Sequence, residues 1–393
     1  MYTRTEAEPL LERVDALADT LRPAADDVDR GTRSAHEGYR AVREAGLLRL
    51  LIPVKNGGEG ASFLEHTRLL ETLATGDGAI ALGFNMHNVA IGSLCETADT
   101  PLPDAAEEFR AWVFSEIVNH GRMFASAVSE SGSGARLREI RTSYRKTDTG
   151  YVLDGEKSFV SLAGVADYYV VAARHEDCEE HDEVSHFVVS ADDSGVSFGR
   201  FWDGAALRGT ETATMTMTGV EVPRGRLFLG VEGMSLFKLV REPHWMTAGY
   251  MGAYLGIAEA VRRFVLDTLA GDDRRRGSAT VQADVGRLCV EIDATRALVH
   301  GAARLVDAQR GSLEANAAVY AAKYRVGELG PRVVAEAVRL CGSRALHAAS
   351  PLQRLAREAQ FCAVMPATSA DCLAYVGKAA LGFDVFDARN LDW

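Results

Sequence analysis

The texture of the sequence changes twice along the chain, and that constrains the fold more than any other feature. Up to about residue 124, apolar residues return at helical spacing. Leu10-Leu11, Val14, Leu17-Ala18 and Leu21 trace one stripe; Leu64, Leu69-Leu70 and Leu73 trace another on a helix expected from Phe63 to Leu73. Pro53 to Gly60 between them is turn chemistry. After Phe124 the pattern becomes short β-rich runs at 151–153, 168–172 and 186–189. An alternation from Thr210 to Thr218 follows, closed by Val220-Glu221-Val222-Pro223. Asp154-Gly155 reads as a tight turn joining two strands. From about Ser235 alanine, leucine and arginine dominate, and helices are expected over His244–Leu269 and about 280–309, 313–347 and 368–380. Helices, then strands, then four helices make an α+β chain of segregated layers, not alternating βαβ units. The expected domains are 1–124, 125–234 and 235–393.

Bulk properties exclude several classes. The 393 residues are 47% hydrophobic and 25% charged, enough to bury a large core. A formal net charge of −12 disfavours nucleic acid as a partner, because phosphate binding needs a basic face. The six cysteines form no C-x-x-C pair, so neither a structural zinc site nor a redox motif is indicated. No run approaches the roughly 18 apolar residues of a membrane span, and the first residues lack a signal-peptide core. A cytoplasmic enzyme is the expectation. The acidic stretch His175 to Glu183 reads as an exposed loop, not a metal site, and His87 as a buried structural histidine.

Gly132-x-Gly134 invites a dinucleotide fingerprint. Leu137 stands where the third glycine belongs and no βαβ unit surrounds it, so the Rossmann reading fails. Five segments in order carry more: Asn56-Gly57-Gly58-Glu59-Gly60, Val128-Ser129-Glu130 with its glycines, Leu153 to Ser161, Val220 to Pro223, and Ser350 to Ala359. Together they resemble the acyl-CoA dehydrogenase superfamily over nearly the whole chain. The resemblance implies a middle β-barrel-like domain, a C-terminal four-helix bundle, and FAD between them. Val128 and Ser129 match positions that bind the pyrimidine edge of the flavin. Gly134 and Ala135 match the loop near the pyrophosphate, Phe159 the aromatic packed on the ring, and Ser161 the hydroxyl reaching N5. Arg274 matches an arginine that reaches the FAD of a neighbouring subunit, in a homo-oligomer that is a dimer of dimers. Arg339 and Gly342 match positions lining the same dinucleotide, and Thr368 a threonine near the flavin side chain. Ala135-Arg136 stand where the family has Ser-Asp, so one phosphate contact is expected to be lost.

The resemblance also implies a reaction: FAD-dependent α,β-dehydrogenation of an acyl thioester, carried on coenzyme A or a carrier protein, with an unidentified electron acceptor. Proton removal at the α carbon needs a carboxylate base. At the usual position stands Pro366, which cannot be one. A minority of the family places the glutamate on an earlier helix, and Glu242 holds that position, with His244 in reserve. Arg262-Arg263 and the 274–276 arginines are candidates to hold a phosphopantetheine-bearing anion. Two alternatives share the fold: a flavin-dependent monooxygenase, which does not need the glutamate, and a non-catalytic flavin-binding subunit.

Overall fold

A computed structural model of the chain describes residues 8–178 and 183–391. Five helices come first: α1 (Glu8–Asp29), α2 (His36–Glu44), α3 (Phe63–Ala74), α4 (Gly78–Glu96) and α5 (Asp104–Val118). Local chemistry starts them. Ser62 and Glu65 form a capping box at α3, and Asp77 caps α4 by accepting from the N–H groups of Ala79 and Ile80. Helix α4 is buried on nearly every side, so its sequence is apolar all round rather than striped.

The middle layer is one sheet of seven strands: β1 (Phe124–Ala127), β2 (Ser143–Lys146), β3 (Gly150–Val160), β4 (Tyr168–His175), β5 (Val184–Ser190), β6 (Val196–Phe201) and β7 (Ala213–Pro223). The order is β1-β4-β2-β3-β7-β6, with β5 also on β4. It is a curled sheet, and the parallel pairing of β1 with β4 carries the chain across it.

Eight helices follow: α6 (Met234–Arg241), α7 (His244–Ala248), α8 (Met251–Ala270), α9 (Asp273–Arg276), α10 (Ala279–Gln309), α11 (Leu313–Cys341), α12 (Pro351–Phe361) and α13 (Ser369–Ala380). The long helices α8, α10 and α11 pack on one another, with α12 and α13 against α11. Helix α3 packs tightly on α8. A Cβ on Gly252 or Gly256 would lie 2.2 Å from the carbonyl oxygen of Thr67 or Glu71, so only glycine allows this approach. The N-terminal helices and the bundle thereby share one core.

Three expectations are corrected. Asp154-Gly155 is not a turn: β3 runs straight through it, with a bulge between Leu153 and Gly155. The partners of β3 are β2 before it and β7 sixty residues on, so no hairpin closes there. Gly155 takes the bulge conformation while Asp154 Oδ1 accepts the N–H of Gly219 at 2.7 Å. The helix expected over His244–Leu269 is interrupted at Gly249-Tyr250. The one expected over 313–347 ends at Cys341, where Gly342 takes φ 64°.

Candidate functional site

Two joined cavities separate the sheet from the C-terminal helices. The first, about 410 Å³, is walled by α4 (Leu82, Met86), the segment after β1 (Val128, Ser129, Gly134, Ala135), Phe159 near the end of β3 with Ser161 just past it, Phe361 at the end of α12, and Val364 to Pro366 after that helix. The second, about 390 Å³, continues past Gly132 to Arg136 toward Ala367, Thr368 and Tyr375, sharing Gly134, Ala135, Met246, Val364 and Pro366 with the first. A smaller one of about 100 Å³ opens beside them, lined by Val128, His186, Lys238, Glu242 and Met246 among others.

Buried contacts fix the edge of the first cleft. Lys157 and Glu130, both buried, pair at 2.7 Å beneath its edge. Lys157 also donates to the carbonyl of Val128, and Ser158 N donates to that of Ser129. With those carbonyls each holding a partner, the backbone N–H groups of Val128 and Ser129 and the Ser129 hydroxyl are the donors these two residues offer a ligand. Burial pulls the Lys157 ammonium down to about 8 against the opposing pull of Glu130. Four non-glycine residues around the cleft hold positive φ: Phe159 (54°), Leu162 (63°), Leu207 (61°) and Glu211 (47°). Each such residue costs about 1–3 kcal/mol and persists only where its surroundings enforce it. Here Leu162 N donates to Thr210 O at 2.9 Å and Ala163 N to Glu211 O at 2.8 Å.

The proposed cofactor residues divide in two. Val128, Ser129, Gly134, Ala135, Phe159 and Ser161 line the first cleft together, and Thr368 lines the second. Phe159 is 61% exposed, an apolar ring left facing the cleft. The Thr368 hydroxyl is tied up capping α13 with Asp371. Arg274 is exposed on α9, Arg339 is exposed and paired with Glu336, and Gly342 follows α11; none of the three lines either cavity. The Arg262 guanidinium is committed to Glu259 and Asp293 and is not available to an anionic carrier. Glu242 caps α6, and its carboxylate lies 3.6 Å from Lys238 Nζ and 3.5 Å from Arg310 Nε. His244 is buried and bonded at 2.8 Å to Glu96. Burial acts to raise the Glu96 carboxyl, but His244 and Arg310 outweigh it and the net direction is down. His87 is structural, with Nδ1 accepting the N–H of Phe124 and Nε2 donating to Leu48 O. Glu179 to Asp182 of the acidic stretch lie outside the described residues.

Sequence reading missed three features. Trp202 stands edge-on to both Phe159 and Phe361, ring centroids 5.8 and 5.4 Å apart, and completes an aromatic wall. No local signal marked it. Ser133 Oγ is buried beside the second cavity without a hydrogen-bond partner. It supplies a hydroxyl two residues before Ala135, where one was expected to be lost. Lys323, buried in α11, donates to the carbonyls of Cys362, Met365 and Ala367 at 3.0–3.2 Å and holds the loop that carries Pro366.

An aromatic-walled slot with backbone donors at one edge, a hydroxyl on its wall and an unpartnered hydroxyl at the far end fits a flavin with a phosphate-bearing tail. The sequence matches the acyl-CoA dehydrogenase N-terminal domain over residues 4–99, the middle domain over 125–220 and the C-terminal domain over 241–370. The chain belongs to the acyl-CoA dehydrogenase family. As a member of it, the protein is a flavoprotein oxidoreductase. Similar curated proteins include the bovine mitochondrial short/branched chain specific acyl-CoA dehydrogenase, 23% identical over 89% of this chain and 80% of that one. They also include the amino sugar nitrososynthase DnmZ of Streptomyces peucetius, 28% identical over 95% of this chain and 93% of that one. Among solved structures, KijD3 in complex with FMN and a dTDP-amino-keto sugar superposes with a TM-score of 0.87. It is 22% identical and covers 97% of this chain and 95% of that one. Among the described residues no helix is long and apolar enough to cross a membrane, and no group of metal-ligating side chains is found.

Proposed function

We propose that this protein is a flavin-dependent monooxygenase built on the acyl-CoA dehydrogenase fold. One observation carries the reading: no residue lining the first cleft can act as an acid or base near neutral pH. Pro366 borders it where the family's base stands. Its one titratable group is Tyr250, whose phenol burial pushes up to about 12. Abstraction of a carbon acid proton without a positioned base forgoes roughly 10²–10⁴ in rate. Glu242 lies outside this cleft, lining the smaller cavity, with its carboxylate between Lys238 and Arg310.

FAD is the flavin proposed, because two joined cavities give room for a dinucleotide. Val128 and Ser129 would hold the pyrimidine edge, Phe159 and Trp202 the ring, Ser161 the N5 edge, and Ser133, Gly134 and Ala135 the phosphates. Bound in its reduced form, the flavin would supply two electrons to dioxygen, one oxygen atom ending in the substrate and the other in water. The chain's own part is to keep that cleft dry with Leu82, Met86, Met246 and Phe361 and to orient the substrate. The nitrososynthase likeness supports nitrogen or carbon of a small polar molecule as the acceptor. Arg274 and Arg339 are exposed and outside the cavities of their own chain, which supports their reaching a dinucleotide in a neighbouring subunit of a dimer of dimers.

The second reading is α,β-dehydrogenation of an acyl-CoA or acyl-carrier thioester with Glu242 as base. It is favoured by the cavity of Glu242 sharing Val128 and Met246 with the first cleft. One experiment separates them. The purified protein is loaded with flavin, and acyl thioesters are added under anaerobic conditions. The same protein is then reduced chemically and exposed to oxygen with candidate amines. Retention of the flavin band with thioesters, then oxygen uptake coupled to product, is expected; bleaching by a thioester would move the assignment to the dehydrogenase.

A further inference from the structure

Three hydroxyls on the wall of the first cleft are bonded in a row. Ser161 Oγ lies 2.9 Å from Thr212 Oγ1, Thr212 Oγ1 lies 2.8 Å from Thr210 Oγ1, and Thr210 Oγ1 lies 2.7 Å from the carbonyl oxygen of Leu207. A hydroxyl owns one proton; a carbonyl owns none. In the last bond, therefore, Thr210 is the donor. Its proton is then spent, and it can only accept from Thr212. The Thr212 proton is spent in turn, and Thr212 can only accept from Ser161. The row has a single direction in which every bond is made, and in it Ser161 turns only lone pairs toward the cleft.

The anchoring end is well fixed. Thr210 and Thr212 are buried; the two positive-φ residues Leu207 and Glu211 flank the turn that carries Thr210, and Thr212 follows directly after Glu211. Thr210 N closes that turn on Leu207 O at 3.0 Å, and Thr210 O receives the N–H of Leu162 at 2.9 Å. Running the row backwards would break the bond from the Thr210 hydroxyl to Leu207. One net hydrogen bond of this kind biases an equilibrium by about tenfold.

Resting on the flavin placement proposed above, we infer that Thr210 and Thr212 are positioning residues that hold Ser161 as a hydrogen-bond acceptor, tuned to the N5–H of reduced flavin. Oxidised flavin presents a lone pair at N5 and is poorly matched to an acceptor. Reduced flavin presents a proton there and is well matched. Such a site suits a protein that receives its flavin already reduced. It gives this cleft a redox preference that no residue in it supplies by charge.

The test is the ratio of dissociation constants for oxidised and reduced flavin, measured anaerobically with FAD and with FMN. Thr212→Val removes the acceptor for Ser161 and frees its proton to face the cleft. Thr210→Val frees Thr212 to donate back to Ser161, with the same result. Each is expected to shift the ratio by about tenfold against reduced flavin, equal to a fall of about 30 mV in the two-electron potential. Thr212→Ser rebuilds the row and is expected to keep the wild-type ratio. Should one valine variant not fold, the other reads the same quantity. An unchanged ratio in a valine variant, or an equal shift in Thr212→Ser, overturns the inference and leaves the proposed function standing. A wild-type protein that binds neither flavin overturns both.

Discussion

Lys157 Nζ lies 2.7 Å from Glu130 Oε1, and almost none of either side chain reaches solvent. The Glu130 carboxylate also accepts the backbone N–H groups of Arg141 and Thr142, at 2.6 and 3.0 Å. One ion pair thus ties β3 to the cleft-lining segment after β1. Lys157→Met should leave a buried carboxylate without its counter-charge and cost about 3–5 kcal/mol. Urea unfolding of the variant checks it; a loss below 1 kcal/mol would mean that the segment does not depend on the pair.

Glu242 separates the two functional readings. Its partners Lys238 and Arg310 are about a third exposed, so Glu242→Gln should cost under 1 kcal/mol of stability. Product-coupled oxygen uptake should stay within about threefold of wild type, since nothing in the monooxygenase reading draws on its proton affinity. A loss of 10²-fold or more would restore it as a general base.

Three imidazoles make the fold sensitive to acid. Burial holds His66, His87 and His186 each down to about 4, against an ordinary 6.5. Their folded values lie below the unfolded one, so the unfolded chain binds more protons between pH 4 and 6.5. Stability therefore rises with pH across that window and is lost as pH falls through it, by about 3 kcal/mol per histidine at most. Proton uptake on unfolding near pH 5 should drop by about one in His66→Leu. Equal uptake in wild type and variant would contradict the assignment.

Among the described residues no carboxylate is bonded to Lys323, which is buried in α11 and whose pKa burial lowers. Its three bonds to carbonyls of the 362–367 loop hold Pro366 against both cavities. Lys323→Met should leave those carbonyls without their buried donor, cost about 2–4 kcal/mol and loosen the loop. Hydrogen exchange over residues 362–368 would report it; unchanged protection would mean that α12 and α13 hold the loop by themselves.

Local signals made much of this legible. Period-3.6 stripes marked α1 and α3, alternation marked β7, and Ser62, Asp77 and Thr368 start their helices by bonds within a few residues. That residue 366 cannot act as a base was legible at once, because a proline side chain has no proton to exchange in any context. Asp154-Gly155 misled because the same dipeptide serves a turn or a bulge, and the choice lies with strands far along the chain.

The sequence by itself determined the order of layers and where several helices start, because each depends on neighbours within a turn of chain. Only the tertiary structure decided that the unpartnered Ser133 hydroxyl lies beside the second cavity, that Glu242 sits between Lys238 and Arg310, and that Ser161, Thr212 and Thr210 are bonded in a row ending on Leu207 O. Those facts rest on contacts between residues far apart in the chain, or on the direction of a hydrogen-bonded row, and neither leaves a mark in residue spacing.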